Sequence, residues 1–359
     1  MSLPLRWPSV KPVVLTTVAL NRALLARQLL LERSSVSVTT CVERVAGLQT
    51  QYAPSAYIAL WTRLSSFERD QLTRALETRR VVQGTLMRGT IHIVSRRDYS
   101  LFAVGIRQPR RDWWLRLARS RGLDSIDYPG VAALLSNELR TGPRRRDELI
   151  ARVVDSGFPK EVWEGAGLWV DMVRIPPSGT WERRRADLYG LAEEWLGPSS
   201  VETKTALEHL SRRYLTGFGP ATLGDLSSWA GVPITTLRPV IEAMTLRRFR
   251  SETEEELLDL PRAPLPGADR PAPVRFLPTW DATLLAHARR TQVLPDEYRG
   301  LVFHTKNPQS VPTFLVHGRV AGSWRYEKGR ILLTPFAPLP RPVIRDLEAE
   351  AAGLATLHA

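Results

Sequence analysis

The chain has 359 residues, of which 43% are hydrophobic, and it carries a formal net charge of +13 with a pI near 10.5. This composition is that of a globular protein, and it excludes a disordered tail. The length fits two or three domains of roughly 100–200 residues each.

The basic charge is almost entirely arginine. Five of the 50 basic residues are lysine, which leaves 45 arginines. Arginine binds phosphate bidentately and stacks on bases, so the composition favours a nucleic-acid partner over an acidic small substrate. Codon usage in a GC-rich genome is the alternative explanation of the excess.

Metal-ligating residues are few. Cys41 is the single cysteine, and the six histidines show no i, i+3 or i, i+4 spacing, so we expect no disulfide, no metal and no cofactor. The apolar run 13–20 lacks a small-residue cleavage site, and no run approaches the roughly 20 apolar residues that span a bilayer. We therefore expect a cytoplasmic monomer without membrane contact.

A pattern of helix, turn, helix and β-ribbon is predicted three times along the chain. The first copy, with the arginine-rich helix that follows it, takes residues 17–128. Its first helix has an apolar stripe over 20–31, a later one is predicted to begin at a capping box of Ser65 and Glu68, and its ribbon covers 81–94.

The segment 99–127 predicts a helix that is interrupted by Trp113 and Trp114. Its basic residues are Arg107, Arg110, Arg111, Arg116, Arg119 and Arg121. Two interpretations stay open: a face that contacts phosphates, or a solvated helix whose tryptophans pack inward.

The second copy takes residues 129–200. Its predicted elements are helices over 131–139, 147–154 and 163–173 and a ribbon over 180–188. Two arginine triplets stand out: Arg144, Arg145 and Arg146, and then Arg183, Arg184 and Arg185 on the ribbon. A basic triplet on such a ribbon, or wing, favours contact with a phosphate backbone.

The third copy takes residues 201–260. Its predicted elements are a helix over 206–214, a turn at 217–220, a helix capped by Thr222 and a helix from Pro233 to Met244. The acidic run 252–256 would repel DNA, so we interpret this copy mainly as scaffold.

A proline-rich linker over 261–273 precedes a small β-rich C-terminal domain, 274–359. Its predicted elements are strands over 274–277, 314–317, 320–326 and 331–335 and a closing helix over 342–357.

Two uncharged amides, Gln49 and Gln51, stand at i and i+2 directly after an apolar helical stretch, and the ribbon segment 88–94 follows them in the first copy. In so basic a chain, this pair suggests a site that meets a nucleic acid base without a charged catalyst. The alternative is a pair of surface or helix-end capping glutamines.

Several segments together resemble the winged-helix DNA glycosylases typified by the azinomycin-resistance enzyme AlkZ and its YcaQ-like relatives. They are Leu48–Gln51, Arg88–Val94, Phe218–Leu226, Leu277–Asp281 and Gly322–Arg325, in the family's order, and the resemblance covers about residues 17–340. Gln51 places the chain in the AlkZ-like branch, since the YcaQ-like branch carries an acid there. Thr50 is a mild departure from the small or apolar middle residue.

The resemblance implies a mainly α fold with β structure: three tandem winged-helix units plus a small C-terminal β-barrel-like domain, forming a concave DNA-binding surface. It also implies a monofunctional DNA glycosylase that excises N7-alkylated purines from double-stranded DNA, including bulky adducts and interstrand crosslinks. Gln49 and Gln51 would be its catalytic residues.

Two amides suffice for this chemistry because a purine alkylated at N7 is already cationic and leaves without protonation. Glycosidic cleavage otherwise needs an acid for the leaving group and a base for water. A glutamine carbonyl can orient the water and favour the developing positive charge, although it cannot act as a true base. We therefore expect no excision of neutral bases such as uracil.

The other candidate DNA contacts are weaker. His92 is either a packed sheet residue or a wing residue near DNA, and Asp281 either holds the water or an arginine network or ties down a turn. The candidate cationic contacts are Arg88, Arg110, Arg111, Arg289, Arg290 and the two arginine triplets. Trp324 is expected in the core of the C-terminal domain.

Two other functions compete with the glycosylase. A non-catalytic winged-helix regulator is the alternative, but three tandem units and no evident ligand-sensing domain speak against it. An enzyme acting on acidic metabolites is disfavoured, since the chain has no GxxxxGK phosphate loop.

Overall fold

The computed structural model describes residues 13–288, 290–303 and 310–359, which form a mixed α/β protein with three sheets. The helices are α1 (Thr17–Arg27), α2 (Val38–Arg44), α3 (Pro54–Arg63), α4 (Arg69–Glu77), α5 (Arg96–Ser120), α6 (Tyr128–Arg140), α7 (Arg146–Asp155), α8 (Val162–Ala166), α9 (Ala192–Leu196), α10 (Thr203–Phe218), α11 (Leu223–Ala230), α12 (Ile234–Ala243), α13 (Arg299–Val302) and α14 (Arg341–His358). The strands are β1 (Val14–Leu15), β2 (Leu48–Gln49), β3 (Val81–Thr85), β4 (Ile91–Ser95), β5 (Arg144–Arg145), β6 (Met172–Arg174), β7 (Leu188–Leu191), β8 (Arg247–Ser251), β9 (Glu256–Asp259), β10 (Arg275–Leu277), β11 (Thr313–Val316), β12 (Arg319–Glu327) and β13 (Arg330–Pro335).

The largest sheet joins the first two copies of the predicted pattern. Its six strands stand in the order β2-β4-β3-β6-β7-β5, and each pair of neighbours is antiparallel. The ribbon of the first copy thus ends against β6, where Gln83 lies opposite Arg174 and Gly84 opposite Val173. Pairing of the two ribbons satisfies backbone groups that a free strand edge would leave open.

The two smaller sheets contain the first and the last strands of the described chain. β1 pairs in parallel with β8, so the first described residues join the hairpin β8-β9 of the third copy. The C-terminal strands form an antiparallel meander in the order β10-β11-β12-β13. α14 packs on it, with Leu347 and Leu354 in one buried cluster with Phe276 and Phe314.

Helix α5 runs along the middle of the molecule and is the arginine-rich helix. Ser95 caps it by accepting a hydrogen bond from the Asp98 amide, and Phe102 and Ile106 lie in the main core with residues of α10. Asp98 also accepts hydrogen bonds from His209 at 2.7 Å and from Arg213 at 3.0 Å, both on α10. The central pair of helices is therefore joined by apolar packing and by a shielded carboxylate.

Three local predictions were wrong. Helix α8 ends at Ala166 instead of continuing to residue 173, because the segment up to β6 turns at Gly167 and then pairs as a strand. Helix α4 begins at Arg69 with Glu68 as its cap and Gln71 at its third position, so Ser65 lies outside the capping box.

The third correction concerns the ribbon predicted over 180–188. Only Leu188 of that range is a strand residue, and 175–187 is the loop between β6 and β7. Pro176 and Pro177 lack amide hydrogens and end the ladder after β6. The Ser178 hydroxyl accepts hydrogen bonds from the Asp187 and Leu188 amides, which closes the loop.

A buried ion pair joins α3 to the C-terminal domain. Both Arg63 guanidinium nitrogens lie 2.9 Å from the Asp281 carboxylate oxygens, and both side chains are 1% exposed. Arg63 also donates to the Ala59 carbonyl and to the Thr283 hydroxyl. A bidentate pair with further hydrogen bonds to its guanidinium is the arrangement in which burial of two charges is tolerated, although the Arg63 Nε has no hydrogen-bond partner among the described residues.

We expect Asp281→Ala to lower the free energy of unfolding by about 3–5 kcal/mol, because it leaves the Arg63 charge buried and unpaired. Asp70→Ala is the matched control, since the Asp70–Arg74 pair is exposed and should contribute little. Urea denaturation of both variants at neutral pH measures the difference. Equal losses would contradict a structural role for the buried pair.

The same pair sets a pH dependence. Burial opposes the charged form of Asp281, but the charge and hydrogen bonds of Arg63 outweigh it and lower the pKa of the carboxyl. The contribution of this carboxylate to the free energy of unfolding is therefore fully present above its unfolded-state pKa of about 3.9, and it is lost as pH falls through the lower pKa of the folded state.

Candidate active site at the glutamine pair

The chain reverses between α2 and β2, and this reversal places the first glutamine. Ala46 and Gly47 both have positive φ, of 61° and 89°. A Cβ at Gly47 would lie 3.0 Å from Val94 Cγ1, so a side chain there would be strained in conformation and in space. Gln49 therefore lies on an edge strand of the large sheet and not at a helix end.

The register of the sheet fixes what Gln49 faces. Gln49 pairs with His92 on β4, and His92 pairs with Gly84 on β3, so the three positions form one row on one face. Gly84 leaves room for Tyr99 of α5, whose Cε2 would lie 2.7 Å from a Cβ at that position. This face is covered by α5, and Gln49 is 6% exposed at its edge.

Arg88 holds the Gln49 amide. It lies in the turn between β3 and β4, and its guanidinium donates to Gln49 Oε1 at 3.1 Å and to the Trp229 carbonyl at 2.7 Å. Burial lowers the pKa of Arg88 to about 10, so it is protonated at neutral pH. The bond fixes which end of the amide is oxygen and leaves a second lone pair of that oxygen free to accept.

Gln51 is held by the neighbouring strand. Its Oε1 accepts a hydrogen bond from the Ile91 amide at 3.0 Å, while the Thr50 amide donates to the Ile91 carbonyl at 2.8 Å. Gln51 itself is exposed. Both amides thus have a defined orientation, and the helix-capping alternative is wrong, because their partners are Arg88 and β4.

His92 is a sheet residue, 3% exposed, and not a wing residue on the surface. Its Nδ1 lies 3.0 Å from the Thr90 carbonyl oxygen. Burial, together with the nearby charge of Arg88, lowers the pKa of His92 to about 3, so the ring is neutral. The row Gln49–His92 therefore offers polar groups without a base that titrates near neutral pH.

The arginines of α5 tie that helix to β3 of the first copy and to the second copy of the pattern. Arg110 donates to the Thr85 carbonyl at 2.9 Å, and Arg111 donates to the Leu168 carbonyl at 2.9 Å and lies over the Trp169 ring. The two tryptophans differ in burial: Trp114 is 2% exposed, whereas Trp113 is 56% exposed. The helix therefore matches neither interpretation fully: Arg110 and Arg111 bind protein carbonyls and not phosphates, and only one of the two tryptophans packs inward.

The loop 175–187 contacts Tyr52, the residue that follows Gln51. Arg184 donates to the Tyr52 hydroxyl at 2.9 Å, and Tyr52, next to Gln51, is 40% exposed. Arg183 and Arg185 are exposed, and Arg185 pairs with Asp187 at 3.0 Å. This contact between the two copies was not predicted, since nothing local in the sequence links residue 52 to residue 184.

Asp281 and the pair Arg289 and Arg290 are further candidate DNA contacts from the sequence. Asp281 is wrong as a DNA contact, because Arg63 occupies both of its oxygens in the core. Arg290 is half-buried and lies 4.8 Å from the Phe303 ring centroid. Arg289 lies outside the described residues.

The triplet Arg144–Arg146 opens α7, and Arg145 and Arg146 are exposed there. Arg146 lines a cavity of about 160 Å³ together with Arg107 and Arg110.

Within the described ranges, no group of three or more His, Cys, Asp or Glu side chains could hold a metal ion. In the same residues, none of the helices is long and apolar enough to cross a membrane.

Comparisons with known proteins agree with the resemblance seen in the motifs. A family described as AlkZ-like DNA glycosylase matches residues 42–357. An interstrand DNA cross-link repair glycosylase of Streptomyces sahachiroi is 24% identical over 361 residues, which cover 92% of this chain and 93% of that protein. The solved structure of the S. sahachiroi DNA glycosylase AlkZ has the same fold, with a TM-score of 0.81 at 20% identity over 96% of this chain and 97% of that one.

We expect charge reversal of Arg183, Arg184 and Arg185 to weaken binding to duplex DNA by a similar factor for every sequence, because phosphate contacts position without specifying. The dependence of log affinity on log salt should also become less steep, by about 0.9 per lost contact. Filter binding at several salt concentrations measures both.

A charge-matched control reverses the exposed Arg238, Arg341 and Arg345, which lie on α12 and α14. If both triple variants lose the same affinity, the effect is one of net charge. If the loop variant keeps its affinity, the loop faces away from DNA.

Proposed function

The chain belongs to the family of AlkZ-like DNA glycosylases, and from that premise we propose that it hydrolyses the N-glycosidic bond of cationic N7-alkylated purines in double-stranded DNA. The observation that carries the proposal is the pair of oriented, uncharged amides of Gln49 and Gln51 beside a neutral His92. Such a site suits a leaving group that needs no proton.

The reaction requires these residues to position a water molecule and to stabilise the developing positive charge on the sugar. The purine leaves as a neutral base, so the barrier lies in the cationic sugar and in the placing of water. The free lone pair of each glutamine carbonyl can accept a hydrogen bond from that water, and the carbonyl dipole favours the developing charge. Neutral bases lack the built-in positive charge and should not be excised.

Arg88 acts as a positioning residue in this proposal. Its positive charge would oppose a cationic sugar close to it, so we place the sugar on the side of Gln49 that faces away from the guanidinium. The hydrogen bonds from Arg88 to Gln49 and to the Trp229 carbonyl would then hold the amide still while the reaction proceeds. A fixed dipole needs no reorganisation as charge develops.

The substrate range and the architecture complete the proposal. The curated relative is a cross-link repair glycosylase, and we propose that bulky N7 adducts and interstrand crosslinks are among the substrates here too. We propose a cytoplasmic monomer. The units would be winged helices over 17–128, 129–200 and 201–260, then the linker 261–273 and the C-terminal domain 274–359, arranged around a concave DNA-binding surface. The barrel-like form of that last domain stays a prediction.

A non-catalytic regulator is the second candidate. It would use the same basic surface and would leave Gln49 and Gln51 as structural residues only. Membership of a glycosylase family favours the enzyme. Incubation with duplex DNA that contains N7-methylguanine, followed by detection of abasic sites, separates the two.

We expect Gln49→Ala and Gln51→Ala each to slow excision of N7-methylguanine by roughly 10- to 1000-fold, the scale of one preorganised polar contact to a transition state. The double variant should lose less than the product of the single effects, because both amides serve the same water. Single-turnover kinetics measure the rates, while DNA affinity and melting temperature should change little.

Gln108→Ala is the control, since Gln108 is exposed and bonds Asp112 on α5. A drop in melting temperature with unchanged excision would show that the glutamines are structural. A wild-type protein that leaves N7-methylguanine in place would contradict the proposed function.

We expect the enzymatic rate, after subtraction of spontaneous depurination, to be flat from about pH 5 to about pH 9. The glutamines do not ionise, His92 is neutral above its pKa of about 3, and Arg88 keeps its proton below its pKa of about 10. If the Arg88 charge is needed, the rate falls only as pH rises through that value. A rising limb between about pH 5 and 8 would reveal a titrating base instead.

A further inference from the structure

A cavity of about 830 Å³ lies beside Arg88, at the place where the three copies of the pattern meet. Its walls come from α5, from the turn between α11 and α12, from the turn between β3 and β4, and from Glu164 and Leu168 in and after α8; Glu164 is paired with Arg121. We call it the Trp113 cleft and define it by Arg88, Trp113, Arg116, Leu117, Val232 and Pro233. Volumes of roughly 300–1,000 Å³ are those of ligand pockets.

Trp113 gives the cleft an uncovered aromatic wall. It is 56% exposed, whereas the adjacent Trp114 is 2% exposed and packs against Tyr128. Pro109 and Leu117, four residues to either side of Trp113, lie on the same face of α5 and also line the cleft. An exposed indole flanked by apolar groups is suited to stacking on a planar aromatic ring.

The opposite wall and the charges fit the same kind of guest. Val232 and Pro233 provide an apolar surface across from α5, and a Cβ at the neighbouring Gly231 would lie 3.7 Å from the Arg88 amide nitrogen. Arg116 is exposed, and among the described residues no acid lies within ion-pair distance of it. It can pair with a phosphate or an electron-rich substituent at the rim.

The cleft and the glutamine site share one residue. Arg88 lines the cleft and also donates to Gln49 Oε1 at 3.1 Å. A base whose glycosidic bond lies at Gln49 would therefore have the cleft on the far side of Arg88. A methyl group at N7 would leave the cleft empty, whereas a large substituent could extend into it.

We propose that the Trp113 cleft is a subsite for the planar, fused-ring substituent of a bulky N7-alkylated purine, with the substituent stacked on the Trp113 indole. The proposal rests on the proposed function and deepens it. The cleft would determine which lesions are preferred, while Gln49 and Gln51 would act on all of them.

The experiment compares two substrates: duplexes with N7-methylguanine and duplexes with the aflatoxin adduct of guanine N7, which carries a fused planar ring system. We expect Trp113→Ala to lower kcat/KM for the aflatoxin adduct by roughly 10- to 100-fold, the scale of one lost base–aromatic stack. The loss should appear in KM, and the N7-methylguanine reaction should change little. Trp113→Phe should restore most of the preference.

Leu115→Ala is the matched control, since Leu115 is also exposed on α5 but does not line the cleft. Equal losses on both substrates, or no loss on either, would overturn the subsite. An equal loss of affinity for undamaged duplex would show that Trp113 is a general DNA contact, which also overturns it.

Equilibrium binding distinguishes a failure of the proposed subsite from a failure of the proposed glycosylase function. The ring-opened form of the aflatoxin adduct is neutral, so the proposed chemistry does not excise it and its affinity can be measured at equilibrium. Wild-type protein should bind this duplex more tightly than undamaged duplex, and Trp113→Ala should remove the difference. That result with no excision of N7-methylguanine would support the subsite and contradict the proposed function; no preference in wild type would overturn the subsite alone.

Discussion

The buried pair of Arg63 and Asp281 is the constraint on which the rest of the arrangement depends. Arg63 ends the helix α3, which begins at Pro54, three residues after Gln51. The guanidinium is held by Asp281 and Thr283 of the C-terminal domain. A shift of α3 would therefore separate two charges that are buried in the core, which is strongly unfavourable. The glutamine pair is thus anchored on one side by the sheet and on the other by a helix whose far end is fixed.

The sheet gives the site its second anchor. The pairing of Gln49 with His92 sets the face on which the amide lies, and a slip of one residue would turn Gln49 to the opposite face. Arg88 then connects three parts of the chain: the β3–β4 turn where it lies, the Gln49 amide, and the Trp229 carbonyl at the end of α11. The site is a junction of distant segments, and it contains oriented dipoles instead of titrating groups.

The arginine excess has a structural use that neither codon usage nor phosphate binding describes. Arg27 is fully buried and paired with Asp259 at 2.7 Å, which joins α1 to β9. Arg174 is 6% exposed and donates to the Thr85 hydroxyl at 2.6 Å, and Arg110 binds the neighbouring carbonyl. The planar fork of guanidinium can satisfy several acceptors at once, so these arginines join elements that are far apart in sequence. Only part of the charge is left for DNA.

The sequence by itself determined the local elements and the glutamine motif. Thr222 caps α11 as predicted, and α14 and the C-terminal strands lie close to their predicted ranges, because caps and apolar periodicity act over a few residues. Helix α5 was predicted less well, since it ends at Ser120 and continues unbroken through Trp113 and Trp114. The tertiary structure decided the rest: the fusion of two ribbons into one sheet, the burial of Asp281, and the contact of Arg184 with Tyr52. Those features depend on partners roughly 90 to 220 residues away in sequence, and no local pattern encodes which distant group will satisfy a strand edge or a buried charge.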